Sequence, residues 1–362
     1  MRILSLAFLL VACGPSDEGT DAGLDAGAAD TGGSDSRADV GADVMEMDVP
    51  EVDAGPITCG GESGAAMARC VEQARYDDDL VFIAQPRALG TPHWMAVQDL
   101  CAERFAAAGF DVERHEFSTG VNVIGTKLGT SMPDRRVIIA AHYDGTPGCD
   151  GADDNATGVA GVLEAARVLG QYEHEHTLVV ACWDDEEGGL RGSTAYATRE
   201  SEAGRGFDIN FNFEMIGYVS SEPGSQQLPE GFDVLFEEET ARIEANMRRG
   251  DFIAWIGDFA SAPFVERLAH HADSLMLRHE PLTIFEGFHL SPLLGDLRRS
   301  DHDAFWQTEV PAIMITDTSE FRYSGYHCLG GEEDTVDRLD IGFATLVTAA
   351  TVGAAADALS AE

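Results

Sequence analysis

Residue types that bind metal ions recur in five short segments of the chain. In order they are AHYDGTPGCDGADDNATG from Ala141, WDDEEGGLRGS from Trp183, NFEMIG from Asn212, SDHDAFW from Ser300 and YHCLGGEEDTVDRLD from Tyr326. Carboxylates crowd together only when a cation neutralises them, because like charges a few ångströms apart repel and would otherwise hold protons. Histidine nitrogen beside carboxylate oxygen is a ligand set that suits zinc. If the fold brings these segments together, they predict a metal site.

The first two segments lie at the ends of predicted strands in one βαβ unit. A strand over 136–144, a helix over 157–170 and a strand over 177–183 follow from the β-rich, helically spaced and continuously apolar patterns of those stretches. Alternation along the first strand puts His142 and Asp144 on the same side. In open α/β sheets, sites lie beyond the carboxyl ends of the strands.

We therefore expect His142, Asp153 and the pair Glu186 and Glu187 to meet at that edge of the sheet. A further strand is predicted over 207–218, and apolar neighbours bury its Glu214. A buried carboxylate needs a cation or hydrogen-bond partners.

Two other kinds of site compete with zinc. Residues from Asp153 to Glu164 have the spacing of an EF-hand calcium loop, but the glycines and proline before Asp153 forbid the preceding helix, and no second such loop exists. A serine hydrolase is disfavoured because no GxSxG occurs, and the adjacent Ser300, Asp301 and His302 cannot form a triad with one another.

The five ordered segments resemble the co-catalytic di-zinc exopeptidases of the bacterial secreted aminopeptidase type, whose relatives include glutamate carboxypeptidase and the glutaminyl cyclases. The resemblance runs from about His93 to the C-terminus. It implies an α/β three-layer sandwich with a mixed, mostly parallel central sheet and helices on both faces. It also implies two zinc ions and peptide substrates.

The resemblance assigns the metal ligands residue by residue. Asp153 matches the aspartate that bridges the two ions. His142 and Glu214 would complete one zinc site, while Glu187 and His327 would complete the other. Glu214 departs from the family, which has aspartate there, so a methylene must be accommodated.

The resemblance also assigns the catalytic groups. Glu186 matches the general base, which would take a proton from the attacking water that two zinc ions activate. Asp144 would orient His142 from outside the metal ligands. Tyr326 resembles a tyrosine aimed at the tetrahedral intermediate, although an ordinary aromatic residue at the rim is an equal interpretation.

These assignments favour an aminopeptidase, because carboxylates around the site suit a free ammonium and no arginine cluster for a terminal carboxylate is evident. A carboxypeptidase or a glutaminyl-cyclase-like relative is the alternative within the family, although the cyclases use one zinc. A non-catalytic binding ectodomain on the same fold is the alternative outside enzymes.

The N-terminus predicts export. Residues 1–13 read as a lipoprotein-type signal peptide ending at a lipidated Cys13, or as a plain signal peptide cut nearby. Residues 14–56 hold twelve acidic residues against the single Arg37, a net charge of −11, and no aromatic residue, so we expect a disordered stalk. Residues 57–362 would form the peptidase domain.

Composition limits the partners. The formal net charge of −41 over 362 residues makes nucleic acid and anionic membrane surfaces unsuitable electrostatic partners. We expect a monomer that acts on peptides. Its N-terminal lipid would be its only contact with a membrane and would anchor it at the outer membrane, on the periplasmic side or at the cell surface.

Six cysteines remain beyond Cys13, an even number that permits disulfides in an exported chain. Cys182 lies in an apolar strand and is predicted to be a buried thiol. If the metal site assembles, Cys149 and Cys328 could lie close and bridge two of its loops. Elsewhere we expect a helix over 63–74, and an irregular loop or lid over 219–247.

Overall fold

The computed structural model describes residues 61–360, so the signal-peptide and stalk predictions for 1–13 and 14–56 lie outside the described residues. Within that range, one sheet runs through the domain. Its eight strands are β1 Asp111–Glu116, β2 Val121–Lys127, β3 Met132–His142, β4 His176–Trp183, β5 Ile209–Glu214, β6 Ile253–Gly257, β7 His279–Thr283 and β8 Ala312–Thr316. Their spatial order is β1-β2-β4-β3-β5-β8-β6-β7.

The centre of the sheet is parallel and its flanks are mixed. Strand β3 pairs in parallel with β4 and β5, and β5 pairs in parallel with β8. Antiparallel pairs join β1 to β2, β2 to β4 and β6 to β8. The carboxyl ends of β4, β3 and β5 are therefore neighbours at one edge.

Helices cover both faces of the sheet. They are α1 Gly64–Ala68, α2 Gln73–Ile83, α3 Pro92–Ala107, α4 Gly158–Leu169, α5 Arg191–Glu202, α6 Phe232–Leu235, α7 Glu237–Ala245, α8 Ala262–Ser274, α9 His302–Trp306 and α10 Ile341–Ala358. The two faces of the sheet belong to two hydrophobic cores, and successive residues of β3 point into them alternately. Val137 and Ile139 pack against α2, α3, α4 and α10 in the first core. Ile138 and Ala140 pack on the side of α5 and α9 in the second core. The predicted three-layer α/β sandwich with a mixed, mostly parallel sheet is confirmed.

Two local predictions are wrong. The helix expected over 63–74 is instead the short α1 followed by the separate α2. Tyr76, Leu80 and Ile83 have helical spacing and are buried on one side of α2. The acidic residues 77–79 between them make this apolar pattern hard to recognise in the sequence. The stretch 219–247, expected to be irregular, contains α6 and α7, because Phe232, Phe236 and Ile243 bury against the second core.

Helix α10 is long and apolar enough to cross a membrane by length and composition, with a mean hydropathy of 1.4. Two thirds of it, 67%, is buried inside the domain. Its residues Ala344, Val347 and Val352 pack in the first core, so α10 is a central helix of the sandwich.

Candidate metal centre

Three adjacent strands deliver the predicted ligands to one edge of the sheet. His142 is the last residue of β3 and Glu214 is the last residue of β5. Glu186 and Glu187 follow the end of β4 after a short turn. Because these strands are parallel neighbours, their carboxyl ends lie side by side. This topology is the reason that residues separated in sequence become neighbours.

One buried group consists of His142, Asp154 and Glu214, whose ligand atoms lie within 4.8 Å of one another. His142 Nε2 lies 3.3 Å from Asp154 Oδ1 and 3.5 Å from Glu214 Oε2. Both ring nitrogens of His142 are buried without a well-directed hydrogen bond. A histidine so surrounded by carboxylate oxygens has the environment of a metal ligand. We call this group the inner subsite.

A second group shares Asp154 and adds Glu187 and His327, again with ligand atoms within 4.8 Å of one another. His327 Nε2 lies 3.1 Å from Asp154 Oδ2 and 3.3 Å from Glu187 Oε2. Each subsite thus has one histidine nitrogen and two carboxylates, with one oxygen of Asp154 turned to each. We call this group the outer subsite.

The structure places Asp154, and not the predicted Asp153, between the two histidines. The Asp153 carboxylate points away from the histidines and accepts hydrogen bonds from the backbone N–H of Gly217 at 2.8 Å and the hydroxyl of Thr157 at 3.1 Å. In the turn between β3 and α4 the two neighbouring aspartates face different surroundings. The doublet itself carries no signal that distinguishes them, because only the backbone angles of an irregular turn decide which side chain faces the site.

Glu214 reaches the inner subsite despite its extra methylene. Ser300 donates a hydrogen bond of 2.6 Å to Glu214 Oε2, and Asn212 Nδ2 donates to the Ser300 oxygen at 3.0 Å. These contacts fix a side chain that is longer than the family's aspartate. Ser300 comes from the SDHDAFW segment, which sequence reasoning left without a role in the site.

Asp144 links the histidine to the two glutamates. Its Oδ1 lies 3.4 Å from His142 Nδ1, on the side of the ring from which Asp144 was predicted to orient the histidine. Its two oxygens also accept the backbone N–H groups of Glu186 at 3.1 Å and Glu187 at 3.2 Å. One carboxylate therefore ties the end of β3 to the turn after β4.

The electrostatics of the cluster favour a cation. Burial raises the pKa of Glu186 well above its usual range, and burial with the nearby Asp154 raises that of Glu187 to about 7. Burial alone would lower the pKa of His142, but Glu186 and Glu214 outweigh it and raise the pKa. Without a cation Glu186 would hold a proton at neutral pH and Glu187 would hold one part of the time, whereas divalent ions would stabilise the charged form of both.

Asp301 is a further acidic group that sequence reasoning missed. It is fully buried, and neither of its carboxylate oxygens has a hydrogen bond of good geometry within the described residues. Burial raises its pKa to about 7, and the Glu214 charge adds to the shift. The sequence feature that could have identified Asp301 is its position next to Ser300 in the SDHDAFW segment.

The turn that carries Asp154 is held by two side chains distant in sequence. The buried Arg87 donates from Nη2 to the carbonyl oxygens of Gly151 at 2.8 Å and Asp154 at 3.1 Å. Asp334 accepts the backbone N–H groups of Asp153 at 2.9 Å and Asp154 at 3.0 Å. No sequence pattern pointed to Arg87, while Asp334 lies within the last of the five segments.

Tyr326 lies at the rim of the site. Its ring stacks on His327 with centroids 3.8 Å apart, and its hydroxyl oxygen accepts a hydrogen bond of 2.8 Å from Arg299 Nη2. Burial and the Asp154 charge raise the pKa of the phenol, so it stays protonated at neutral pH. Because Arg299 already donates to the oxygen, the phenolic proton is available to another acceptor.

Contacts in the structure confirm the cysteine predictions and argue against the EF-hand calcium loop. Cys149 and Cys328 form a disulfide that joins the loop after β3 to the segment of His327. Cys182 is a buried free thiol, as expected. Glu164, the last position of the EF-hand spacing, instead forms an ion pair of 2.6 Å with Arg167 and faces away from a calcium loop.

Comparisons with known proteins show which family this chain resembles. Residues 122–250 match the sequence profile described as peptidase family M28. An uncharacterised Escherichia coli protein, YfbL, is 33% identical over 215 residues, which cover 56% of this chain and 61% of that protein. A probable lipoprotein aminopeptidase of Mycobacterium tuberculosis, LpqL, is 40% identical over 116 residues, covering 30% of this chain and 23% of that protein. The matches thus span less than two thirds of these relatives.

Solved structures support the fold. An aminopeptidase from Aneurinibacillus sp. strain AM-1 superposes with a TM-score of 0.59 at 16% identity, covering 83% of this chain and 97% of that one. At this identity the likeness establishes the shared architecture. Together with the family match, it confirms the resemblance stated from the five segments.

Proposed function

We propose that this chain is a two-zinc aminopeptidase of peptidase family M28, and the match of residues 122–250 to the profile of that family supports the proposal. The observation that carries the proposal is the pair of one-histidine, two-carboxylate groups sharing Asp154. Such a pair suits two zinc ions, which would polarise a peptide carbonyl and activate water for attack on it.

Glu186 is proposed as the general base. It adjoins the outer-subsite ligand Glu187 but belongs to neither ligand group. Its backbone N–H is held by Asp144, which fixes the turn from which the carboxylate projects. A buried carboxylate with a raised pKa can accept the proton of the attacking water at an oxygen atom and deliver it to the leaving amine.

Tyr326 is proposed to donate its phenolic proton to the oxyanion that develops on the scissile carbonyl. Arg299 fixes the phenol oxygen and leaves its proton free, while stacking on His327 holds the ring at the outer subsite. A fixed donor of this kind stabilises charge that develops in the transition state.

A cavity beside the metal centre supports the choice of substrate. Glu214 and Tyr326 lie on its wall. The rest of its lining is largely apolar and includes Phe232, Ile243, Phe252, Leu282 and Met314. We propose that it receives an apolar side chain of the residue whose peptide bond is cleaved.

The charges at the cavity favour a free N-terminus over a free C-terminus. Arg299 is the arginine of its lining, and it already forms an ion pair with Glu320 and a hydrogen bond to Tyr326. A terminal carboxylate would therefore find no unpaired guanidinium among the described lining residues. The carboxylates of the metal centre suit an ammonium group instead.

Purified full chain loaded with zinc tests the proposal on amino-acid p-nitroanilides. We expect hydrolysis that a chelator abolishes and zinc restores, and a Leu substrate cleaved at least about 10-fold faster in kcat/KM than an Ala substrate. Glu186→Gln should lower kcat by roughly 10²- to 10⁴-fold with both zinc ions retained. The matched control is Glu202→Gln at the exposed end of α5, which should leave kcat unchanged.

Two results would contradict the proposal. Hydrolysis undiminished in Glu186→Gln would remove the general base. Two bound zinc ions without hydrolysis of any N-terminal substrate would favour a binding ectodomain or a relative with another reaction.

We further propose that the chain is an exported lipoprotein that acts as a monomer. The Leu-Val-Ala-Cys sequence ending at Cys13 supports lipidation, and the relative LpqL is itself named a probable lipoprotein aminopeptidase. Radiolabelled palmitate should enter the wild-type chain in a bacterial host and not a Cys13→Ser variant. Equal labelling of both would contradict the anchor, and light scattering of the soluble domain checks the monomer.

A further inference from the structure

The segment that carries His327 has little local structure of its own. His327 and Cys328 both adopt left-handed backbone angles, with φ of 54° at each, which non-glycine residues rarely do. No residue of Tyr326–Gly331 is buried. Its backbone hydrogen bonds are local, from Cys328 N–H to the Gly325 carbonyl and from Glu332 N–H to that of Leu329. Contacts from elsewhere must therefore hold the histidine in place.

The two ends of this segment are anchored independently of the disulfide. Tyr323 donates a hydrogen bond of 3.0 Å to Asp334 Oδ1. Asp334 in turn accepts the backbone N–H groups of Asp153 and Asp154. These contacts fix the segment where it leaves and rejoins the domain. Between them, Arg299 holds the hydroxyl end of Tyr326, a contact that does not hold the backbone of His327 and Cys328.

The middle is tied down by the disulfide between Cys149 and Cys328, with the two Cα atoms 5.6 Å apart. Cys328 is the next residue after His327, and Cys149 lies in the loop between His142 and Asp154. Arg87 holds that loop through the carbonyl oxygens of Asp150 at 2.6 Å and Gly151 at 2.8 Å. The disulfide thus connects an outer-subsite ligand to a fixed part of the domain.

The inner subsite has no comparable dependence. His142 and Glu214 end central strands, and Ser300 holds Glu214. Arg87 and Asp334 hold the backbone of Asp154. None of these contacts involves Cys149 or Cys328.

We propose that Cys149 and Cys328 are positioning residues for His327, so that opening their disulfide weakens zinc binding at the outer subsite and leaves the inner ion in place. The inference rests on the proposed pair of zinc subsites. Cys328 is partly exposed and within reach of a reductant. With a water-soluble phosphine, the S–S bond breaks, the phosphine becomes its oxide with the oxygen of one water molecule, and the two protons of that water complete the thiols.

The test counts and titrates zinc, without relying on hydrolysis. Full chain in its oxidised form, the same protein after phosphine treatment, and a Cys149→Ser/Cys328→Ser double variant are each titrated against a chromogenic zinc chelator. The double variant excludes zinc binding by the freed thiols. Cys70→Ser is the matched control, because Cys70 belongs to another disulfide and contacts Tyr172 and Arg167 outside the metal centre.

We expect two zinc ions in the oxidised chain and in Cys70→Ser. In the double variant one ion should bind roughly 10- to 100-fold more weakly while the other changes by less than about 3-fold. His327→Ala should reproduce this pattern with the disulfide intact. Near-UV circular dichroism verifies that the variant remains folded.

Three outcomes would overturn the inference. Two unchanged ions in the folded double variant would show that His327 needs no tether, and equal weakening of both would show a general structural role. Fewer than two ions in the oxidised chain would remove the outer subsite and with it the two-zinc proposal. Absent hydrolysis with the expected zinc pattern would refute the proposed activity alone.

Discussion

The two subsites share one aspartate but are built in different ways. The inner subsite uses His142 and Glu214, which end two central strands and have side chains 1% and 10% exposed. The outer subsite uses Glu187 and His327, which lie on loops and are 16% and 29% exposed. A neighbouring parallel strand therefore positions the first pair, whereas local turns and a disulfide position the second.

This difference makes the inner subsite the more rigid one and the outer subsite the more accessible one. Strands buried on both faces open only with the whole domain, while loops with few buried contacts open locally. The outer subsite, together with Tyr326, is the side that a substrate can approach. We expect the inner ion to be the more tightly held, and the following variants test that expectation.

The largest effect is expected from the shared ligand. Asp154→Asn should remove both zinc ions and lower kcat/KM by at least about 10³-fold, because each subsite loses a charged oxygen. Asp153→Asn is its neighbour control and should retain both ions, since Asp153 faces Gly217 and Thr157. Zinc analysis by mass spectrometry separates the two. The reverse pattern would restore Asp153 as the bridge.

The next largest effect on zinc binding is expected from replacing either histidine. His327→Ala should leave one zinc ion per chain, because the strand-borne ligands remain. His142→Ala should weaken the inner ion and also reduce affinity at the outer subsite, because the shared Asp154 loses the ring that lies 3.3 Å from its Oδ1. Stepwise titration against a chelator measures both constants. Equal consequences for the two variants would contradict the asymmetry.

A smaller effect is expected from the hydroxyl groups that hold the two glutamates. Ser300→Ala removes the donor to Glu214 and should weaken the inner ion by roughly 10- to 100-fold. Thr146→Val removes the donor of 2.8 Å to Glu187 Oε1 and should act on the outer ion alone. The same titration reports both. An effect of Ser300→Ala on the outer ion only would refute the assignment of Glu214.

The smallest effect on the metal centre is expected from a distant ion-pair cluster. Burial alone would raise the pKa of Glu200, but hydrogen bonds from Arg205 and Arg136 outweigh it and lower the pKa to about 2. Since its unfolded pKa is about 4.3, Glu200 stabilises the fold above that pH and loses this contribution as pH falls from about 4.3 to 2.

Glu200→Gln should therefore lower the free energy of unfolding at pH 7 by about 2 kcal/mol and flatten the loss of stability between pH 4.3 and 2. Urea unfolding across this range measures it. The ratio of the two zinc affinities should not change. If it did, loss of stability alone could produce the asymmetry assigned to the two subsites.

Residue patterns predicted part of what meets at the site, namely His142 with the pair Glu186 and Glu187, whereas Glu214 and His327 were placed there by the family resemblance. Runs of apolar residues ending in His142, Trp183 and Glu214 predicted central strands, and the carboxyl ends of neighbouring parallel strands must share an edge. The sequence did not predict α2 or the helices within 219–247, where acidic residues obscure the apolar spacing.

Residue patterns determined which stretches form the strands that carry His142 and Glu214, and on which side of its strand His142 lies. The order of the strands is a property of the tertiary structure. Only the tertiary structure decided that Asp154 rather than Asp153 faces both histidines, and that Ser300 holds Glu214. The direction of a side chain in an irregular turn depends on backbone angles that distant residues impose. Here those residues are Arg87 and Asp334, whose hydrogen bonds to the turn join parts of the chain that no local pattern connects.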